Sequence, residues 1–294
     1  MMKTFDRPII IVGTGRNGSK VLHQMLARHR RLSYLTGVLT HWPSRVGLNR
    51  MVVAARAWPV VGGFARRRIQ AMEAFPFWES LVPGFSRPTR DLRAEDVTTN
   101  GKEEVQRAFS RLLTRGRSRL LIKLTGWTRI GYVKEIFPDA RILHLIRSPY
   151  AVVSSWLHVF FWEGWRGPTQ WRWGVLTPDE ERLWQKHEQS FPVLAAIGYK
   201  HILDAYEASL GRLPEDRRKN VMEIHYSDLC AASEEVIGRI LAFCEVEDDK
   251  AFRGALSEFR LASRDDKWRH ELPPVEQQRL EGAVAELGLT HYVR

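Results

Sequence analysis

The chain has 294 residues, 44% of them hydrophobic, 27% charged and 11% aromatic, which excludes fibrous, collagen-like and wholly disordered classes and leaves enough chain for a large core. Its 45 Lys and Arg against 34 Asp and Glu give a formal charge of +11, pointing to a polyanionic partner: nucleic acid, an anionic membrane or a phosphate-bearing ligand. The excess is local, because the 66 residues between Asp6 and Glu73 contain twelve Lys and Arg and no carboxylate, while the rest of the chain is near neutral.

Taken in order, the predicted elements alternate strand and helix. Ile9–Val12 is a short all-apolar run, as a buried parallel strand requires. A glycine-rich turn follows, then a helix with Val21, Leu22, Met25 and Leu26 on one face. Residues 32–35 read as a second strand. Residues 36–100 form an irregular basic and aromatic insertion, with helices expected near 49–57 and 65–74. Then come a helix over 101–115, a strand Leu120–Leu124, a helix over 129–136 and a strand Arg141–Ile146. Ser148-Pro149 suits the N-cap and first position of a helix. Residues 179–210 read as mostly helical, Val221–His225 as a strand and 233–243 as a helix, within a C-terminal helical part spanning 179–294. The pattern implies an α/β three-layer sandwich with a central, mostly parallel sheet, P-loop nucleotide-binding-like, in a single domain over 1–294.

Cys230 and Cys244 are the only cysteines, too few for a disulfide scaffold or a thiolate metal site, and read as buried free thiols. The apolar run after Pro8 is too short for a signal peptide core. The most apolar long segment, Met51–Phe64, is broken by Arg56 and Pro59 and too short to span a bilayer. A cytoplasmic location is expected, with peripheral contact to an anionic inner membrane by residues 51–69 as an additional option.

Gly13-Thr14-Gly15-Arg16-Asn17-Gly18-Ser19-Lys20 lies between the first strand and helix, where backbone N–H groups and a helix N-terminus can face a phosphate. Read as G-x-G-x-x-G it would be a dinucleotide fingerprint, but that motif needs a ribose-binding carboxylate about 20 residues on, inside the acid-free block. Read as a Walker loop it has Ser19 at the lysine position and Lys20 at the hydroxyl position. A third reading is a phosphosulfate loop, with Arg16 as its cation; a turn without a ligand is the fourth. Further on, Arg147 ends a strand and Ser155 follows eight residues later on the next helix. That spacing brings a guanidinium fork and a hydroxyl to the C-terminal edge of the sheet, suited to one phosphate.

The two motifs together resemble the sulfotransferase family, in a bacterial-type member. Arg16-Asn17-Gly18-Ser19-Lys20 is similar to its 5′-phosphosulfate loop, with Asn17 and Lys20 departing from the commonest Ser and Thr. Arg147 and Ser155 carry the spacing of its 3′-phosphate motif, preceded by a lead-in similar to Ile136-Phe137-Pro138-Asp139-Ala140. His225-Tyr226-Ser227-Asp228-Leu229 resembles the segment that packs on adenine, with Ser227 where Glu is usual. Lys267-Trp268 resembles the basic-Trp segment that closes over the nucleotide, to which Arg264 could add charge. The resemblance implies sulfuryl transfer from 3′-phosphoadenosine 5′-phosphosulfate, leaving 3′,5′-adenosine bisphosphate, to a hydroxyl or amine of a small-molecule, lipid or carbohydrate acceptor. Thr14, Gly15, Arg16, Asn17, Gly18, Ser19, Lys20, Arg147, Ser155, Tyr226, Arg264, Lys267 and Trp268 would hold the nucleotide, and Arg16 would offset charge on the departing oxygen. No metal is implied.

Relatives with a His after the strand matching Leu120–Leu124 find no counterpart in Lys123-Leu124-Thr125-Gly126-Trp127, and the acid-free block lacks the early Glu of some bacterial relatives. His41 is therefore the first candidate for the general base, with His158 and Glu163 as alternatives. The aromatic run Phe160, Phe161, Trp162, Trp165, Trp171 and Trp173 suits the acceptor, chiefly Phe161, Trp162 and Trp165. Two other readings stay open: a P-loop small-molecule kinase using ATP and magnesium, and a non-enzymatic basic protein binding nucleic acid or a membrane surface, though no nucleic-acid motif is present.

Overall fold

The computed structural model describes residues 5–55, 70–87, 89–168 and 174–293. Among these, the strands are β1 (Ile9–Gly13), β2 (Leu32–Tyr34), β3 (Arg119–Thr125), β4 (Arg141–Ile146) and β5 (Val221–His225). In chain order, the helices up to β4 are α1 (Ser19–Leu26), α2 (Gly37–His41), α3 (Val46–Ala55), α4 (Phe75–Leu81), α5 (Thr99–Ser110) and α6 (Ile130–Ile136). After β4 come α7 (Pro149–Leu157), α8 (Pro178–Lys186), α9 (Phe191–Arg212) and α10 (Glu215–Arg218). After β5 come α11 (Tyr226–Ala231), α12 (Ser233–Cys244), α13 (Lys250–Leu256), α14 (Trp268–Glu271) and α15 (Pro274–Glu286).

The five strands form one parallel sheet in the order β2-β3-β1-β4-β5, with Ile10 of β1 between Ile122 and Ile142. Every residue of β1 is buried, because helices cover both faces; its unbroken apolar run is the consequence. Alternation then sorts side chains between layers. Ile10, Val12, Ile122 and Leu124 pack with Phe77, Trp78, Phe109 and Val133 of α4, α5 and α6. Ile9, Ile11, Leu121 and Leu143 pack with Leu22, Met25, Ile237 and Phe252 of α1, α12 and α13. A third cluster joins α7, α9 and α15 around Trp127, Trp156 and Trp184. The three-layer, mostly parallel expectation is thus the observed architecture.

The chain leaves β1 toward β2 and leaves β4 toward β5, in opposite directions across the sheet. That reversal opens a crevice at the C-terminal ends of β1 and β4, the usual ligand position in such sheets. Both motifs singled out above, the loop after β1 and Arg147 after β4, end there.

Several local expectations are corrected or given sharper bounds. Residues 65–69 of the expected 65–74 helix lie outside the described residues, and 70–74 are not helical. Ala71 pairs with Thr36 in an antiparallel bridge and Met72 N–H donates to Leu35 O at 2.8 Å, so their backbone groups are spent across the chain. The helix expected near 49–57 begins earlier, at Val46, and its last two residues lie outside the described ones; the one expected over 101–115 runs from Thr99 to Ser110. The 179–210 stretch is mostly helical as expected, in two helices interrupted where Glu188 and Gln189 take left-handed φ of 52° and 56° and Ser190-Phe191-Pro192 starts α9 afresh. Pro149 opens α7 as expected, but the Ser148 side chain makes no capping bond.

Candidate active site

The loop between β1 and α1 is held by its own side chains. Asn17 is fully buried and bridges two elements: Nδ2 donates to Leu145 O of β4 at 2.5 Å, and Oδ1 accepts from Ser19 N–H at 3.2 Å. Its side chain is therefore spent within the protein, and any part Asn17 takes in holding a ligand falls to its backbone. Gly18 has φ of 91°, and a Cβ there would run into the Tyr226 ring, so glycine is demanded by conformation and by space. Arg16 takes φ of 55°, which aims its side chain across the crevice, where Nε donates to Ser155 Oγ at 2.8 Å. Thr14 is buried, its Oγ1 donating to Gly15 O at 3.1 Å.

Arg147 ties the second motif to the first. Its Nη1 donates to Arg16 O at 2.9 Å, its Nε donates to Asp265 Oδ1 at 2.6 Å, and its guanidinium lies 4.6 Å from the Tyr226 ring centre. The Tyr199 hydroxyl fixes Arg147 O from behind at 2.9 Å. Burial pushes the Tyr226 hydroxyl up to about 12, with the Cys230 thiol as its hydrogen-bond neighbour, so the ring is a neutral, half-buried wall of the site.

Two cavities meet at these residues. The larger, about 760 Å³, is lined by Gly15, Arg16, Gly18, Ser19, Lys20, Lys123 and Tyr226, among others. The smaller, about 440 Å³, is lined by Arg147, Ser155, His158, Lys267 and Trp268. Arg16, Arg147 and Arg264 line both, which makes them two compartments of one cationic cleft. Lys267 pairs with Glu271, and Trp268 is buried, stacked on Tyr150 at 4.6 Å.

A residue that sequence reasoning passed over stands opposite the loop. Glu73 lines the larger cavity; its Oε1 accepts from Thr125 Oγ1 at 2.6 Å and its Oε2 lies 3.3 Å from Lys123 Nζ. It is the first carboxylate after the acid-free block, and that position was the one available signal. The candidate bases are placed differently. His41 is exposed, edge-on to Trp42 at 6.0 Å, and does not line the cleft. Glu163 sits on the surface 3.5 Å from Arg166. His158 lines the smaller compartment. Of the aromatic run, Phe161 lines the larger cavity, whereas Phe160, Trp162 and Trp165 line a separate groove of about 610 Å³; Trp171 and Trp173 lie outside the described residues.

Among the described residues no group of three or more His, Cys, Asp or Glu could hold a metal ion, and no helix is long and apolar enough to cross a membrane. A model of the sulfotransferase family matches residues 8–250. The chain is 23% identical over 303 aligned positions to the omega-hydroxy-beta-dihydromenaquinone-9 sulfotransferase Stf3 of Mycobacterium bovis, covering 93% of this chain and 71% of that protein. Its fold is similar to that of sulfotransferase STF9 from Mycobacterium avium, with a TM-score of 0.60 at 16% identity over 99% of this chain and 78% of the other. It is also similar to sulfotransferase STF1 from Mycobacterium tuberculosis, with a TM-score of 0.55 at 15% identity over 95% and 77%. These matches favour sulfuryl transfer over the kinase and the non-enzymatic readings. That family match spans most of the chain, so the chain is an enzyme and belongs to the sulfotransferase family.

Proposed function

We propose that the enzyme transfers a sulfuryl group from 3′-phosphoadenosine 5′-phosphosulfate to the hydroxyl of a lipid-like alcohol, with Glu73 as general base. The observation that carries the reading is that Arg16 and Arg147 line both compartments, with Ser155 in the smaller one and Glu73 in the larger. A cleft with cations in both compartments and the Tyr226 ring in the larger suits an elongated nucleotide that is anionic at both ends.

When bound, the donor supplies a sulfuryl group joined through oxygen to its 5′-phosphate. Arg147 and Arg264, with the Ser155 hydroxyl, would hold its 3′-phosphate in the smaller compartment. Arg16, Lys20 and the backbone around Gly18 would hold its 5′-phosphosulfate and offset the negative charge left on the departing oxygen. Thr125 and Lys123 fix the Glu73 carboxylate in the larger cavity. There Glu73 takes the proton of the acceptor hydroxyl as its oxygen bonds to sulfur. Val21, Phe161, Phe259 and Leu261 give that cavity apolar walls, and the mycobacterial relative named above acts on an omega-hydroxy menaquinone; both support a lipid-like acceptor.

Calorimetric titration with 3′,5′-adenosine bisphosphate tests the donor site, and turnover of Glu73→Gln tests the base. Wild type should bind without metal and Arg147→Ala should not. Glu73→Gln should bind as wild type but turn over roughly 10²–10⁴-fold more slowly. Failure of wild type to bind rejects the donor, and unchanged turnover in Glu73→Gln moves the base elsewhere.

A further inference from the structure

The acid-free block supplies two cations to the cleft, Arg16 and Lys20, and three more, Arg7, Arg28 and Arg30, pair with carboxylates such as Asp6, Glu258 and Glu247, with Arg45 and Arg50 among those left to be explained. Part of it forms α3 and the turn before it. Val46, Asn49 and Val53 are buried, and Asn49 pins the helix to the end of β2: its Oδ1 accepts from Thr36 N–H at 2.9 Å and its Nδ2 donates to Tyr34 O at 3.0 Å. With one face fixed in this way, the other stays in solvent. It presents Trp42 at 58% exposure, Leu48 at 42% and Met51 at 68%, interleaved with exposed Arg45 and Arg50. At the far end of α3, Ala54 lines a groove of about 510 Å³ with Arg30, Arg31, Arg115, Arg117 and a single carboxylate, Glu247.

We propose that this face is a docking surface for an anionic lipid bilayer. Both of its components are needed for that assignment. Large apolar side chains held in water gain by entering the headgroup and acyl boundary, with tryptophan favoured at that depth. Exposed Arg45 and Arg50, on a stretch with no carboxylate among residues 7–72, are drawn to an anionic leaflet, each contributing roughly a fivefold gain in partition. A nucleic acid would be served by the arginines alone and leaves Leu48 and Met51 without a role. The face also leads to the cleft. Thr36, immediately before α2, bridges Ala71, and Glu73 follows two residues later, so the surface and the base share one short framework. Resting on the acceptor reading above, this arrangement would present Glu73 to an alcohol carried in the bilayer.

The test is co-sedimentation of the full chain with vesicles of phosphatidylcholine alone or with roughly 30% phosphatidylglycerol. Wild type should sediment with the anionic vesicles, not with neutral ones, and raised salt should release it. The double variants Arg45→Glu/Arg50→Glu and Trp42→Ser/Met51→Asp should each lose at least about tenfold in partition while keeping wild-type affinity for 3′,5′-adenosine bisphosphate. Wild type left in the supernatant, variants that sediment like wild type, or retention on duplex DNA instead of vesicles would each overturn the proposal. Because nucleotide affinity is measured on the same preparations, its failure would count against the donor site and not against the docking surface.

Discussion

The Nε of Arg147 donates to Oδ1 of Asp265 at 2.6 Å, and both side chains are largely withdrawn from solvent, so a carboxylate stands where the 3′-phosphate is expected. A phosphate arriving at Arg147 must displace it. Asp265→Asn weakens that competitor and removes a like charge, so affinity for 3′,5′-adenosine bisphosphate should rise by about tenfold, in keeping with a charge-assisted hydrogen bond. Arg147→Ala should abolish binding. Calorimetry on the two variants decides it: an Asp265→Asn protein that binds no better than wild type shows that the carboxylate swings away without cost.

Gly18 is the narrowest point of the loop. Its φ of 91° is hard for any side chain, and a Cβ would meet Tyr226. Gly18→Ala should weaken nucleotide binding by more than about 100-fold, through strain of roughly 1–3 kcal/mol together with displacement of the ring. Adding Tyr226→Ala relieves the collision but not the backbone strain, and so should recover only part of the stability lost. Wild-type binding by Gly18→Ala would show that the loop tolerates a different path.

Asn17 predicts a stability effect in place of a ligand effect. Asn17→Ser loses the bridge between Leu145 O and Ser19 N–H, two buried backbone groups, at about 2–4 kcal/mol. Thermal unfolding should show a midpoint lower by several degrees. An unchanged midpoint with impaired nucleotide binding would instead place the amide at the ligand.

Asp91 is buried at the start of α6, where its Oδ1 accepts from Arg129 N–H at 2.8 Å. Burial outweighs the Arg129 contacts and pushes its carboxyl from 3.8 to about 6. Between those values the folded protein keeps a proton that the unfolded chain has released, so this group makes stability fall as pH rises from about 4 to 6. Denaturant unfolding across that range should show the fall in wild type, and Asp91→Asn, which keeps the acceptor oxygen, should flatten it. An equal slope in both proteins would assign the dependence to other groups.

Much of the sheet was legible because each strand carries its own signal. Ile9–Val12 is apolar throughout and Arg141–Ile146 is apolar apart from Arg141 and His144, since both faces of the sheet are covered, and that requirement is local to each strand. The Arg147 and Ser155 spacing was legible for a similar reason: eight residues across one strand-to-helix turn have little freedom, and both side chains do line one compartment. Residues 70–74 were misread as helix because their structure comes from Thr36 and Leu35, more than thirty positions away.

The sequence by itself determined the class of the fold, the position of the glycine-rich loop between the first strand and helix, and the concentration of charge ahead of Glu73. Periodicity and short spacings are properties of neighbouring residues and survive without a partner. Only the tertiary structure decided which carboxylate faces the loop. The acid-free block ends at Glu73, and the antiparallel contact of Ala71 with Thr36 folds that end back beside Thr125 and Lys123. His41, closer to the loop in sequence, is left on the surface instead. The reason is that Glu73 and the loop meet across the sheet edge, and that distance is set by strand order and chain reversal, which no local pattern encodes.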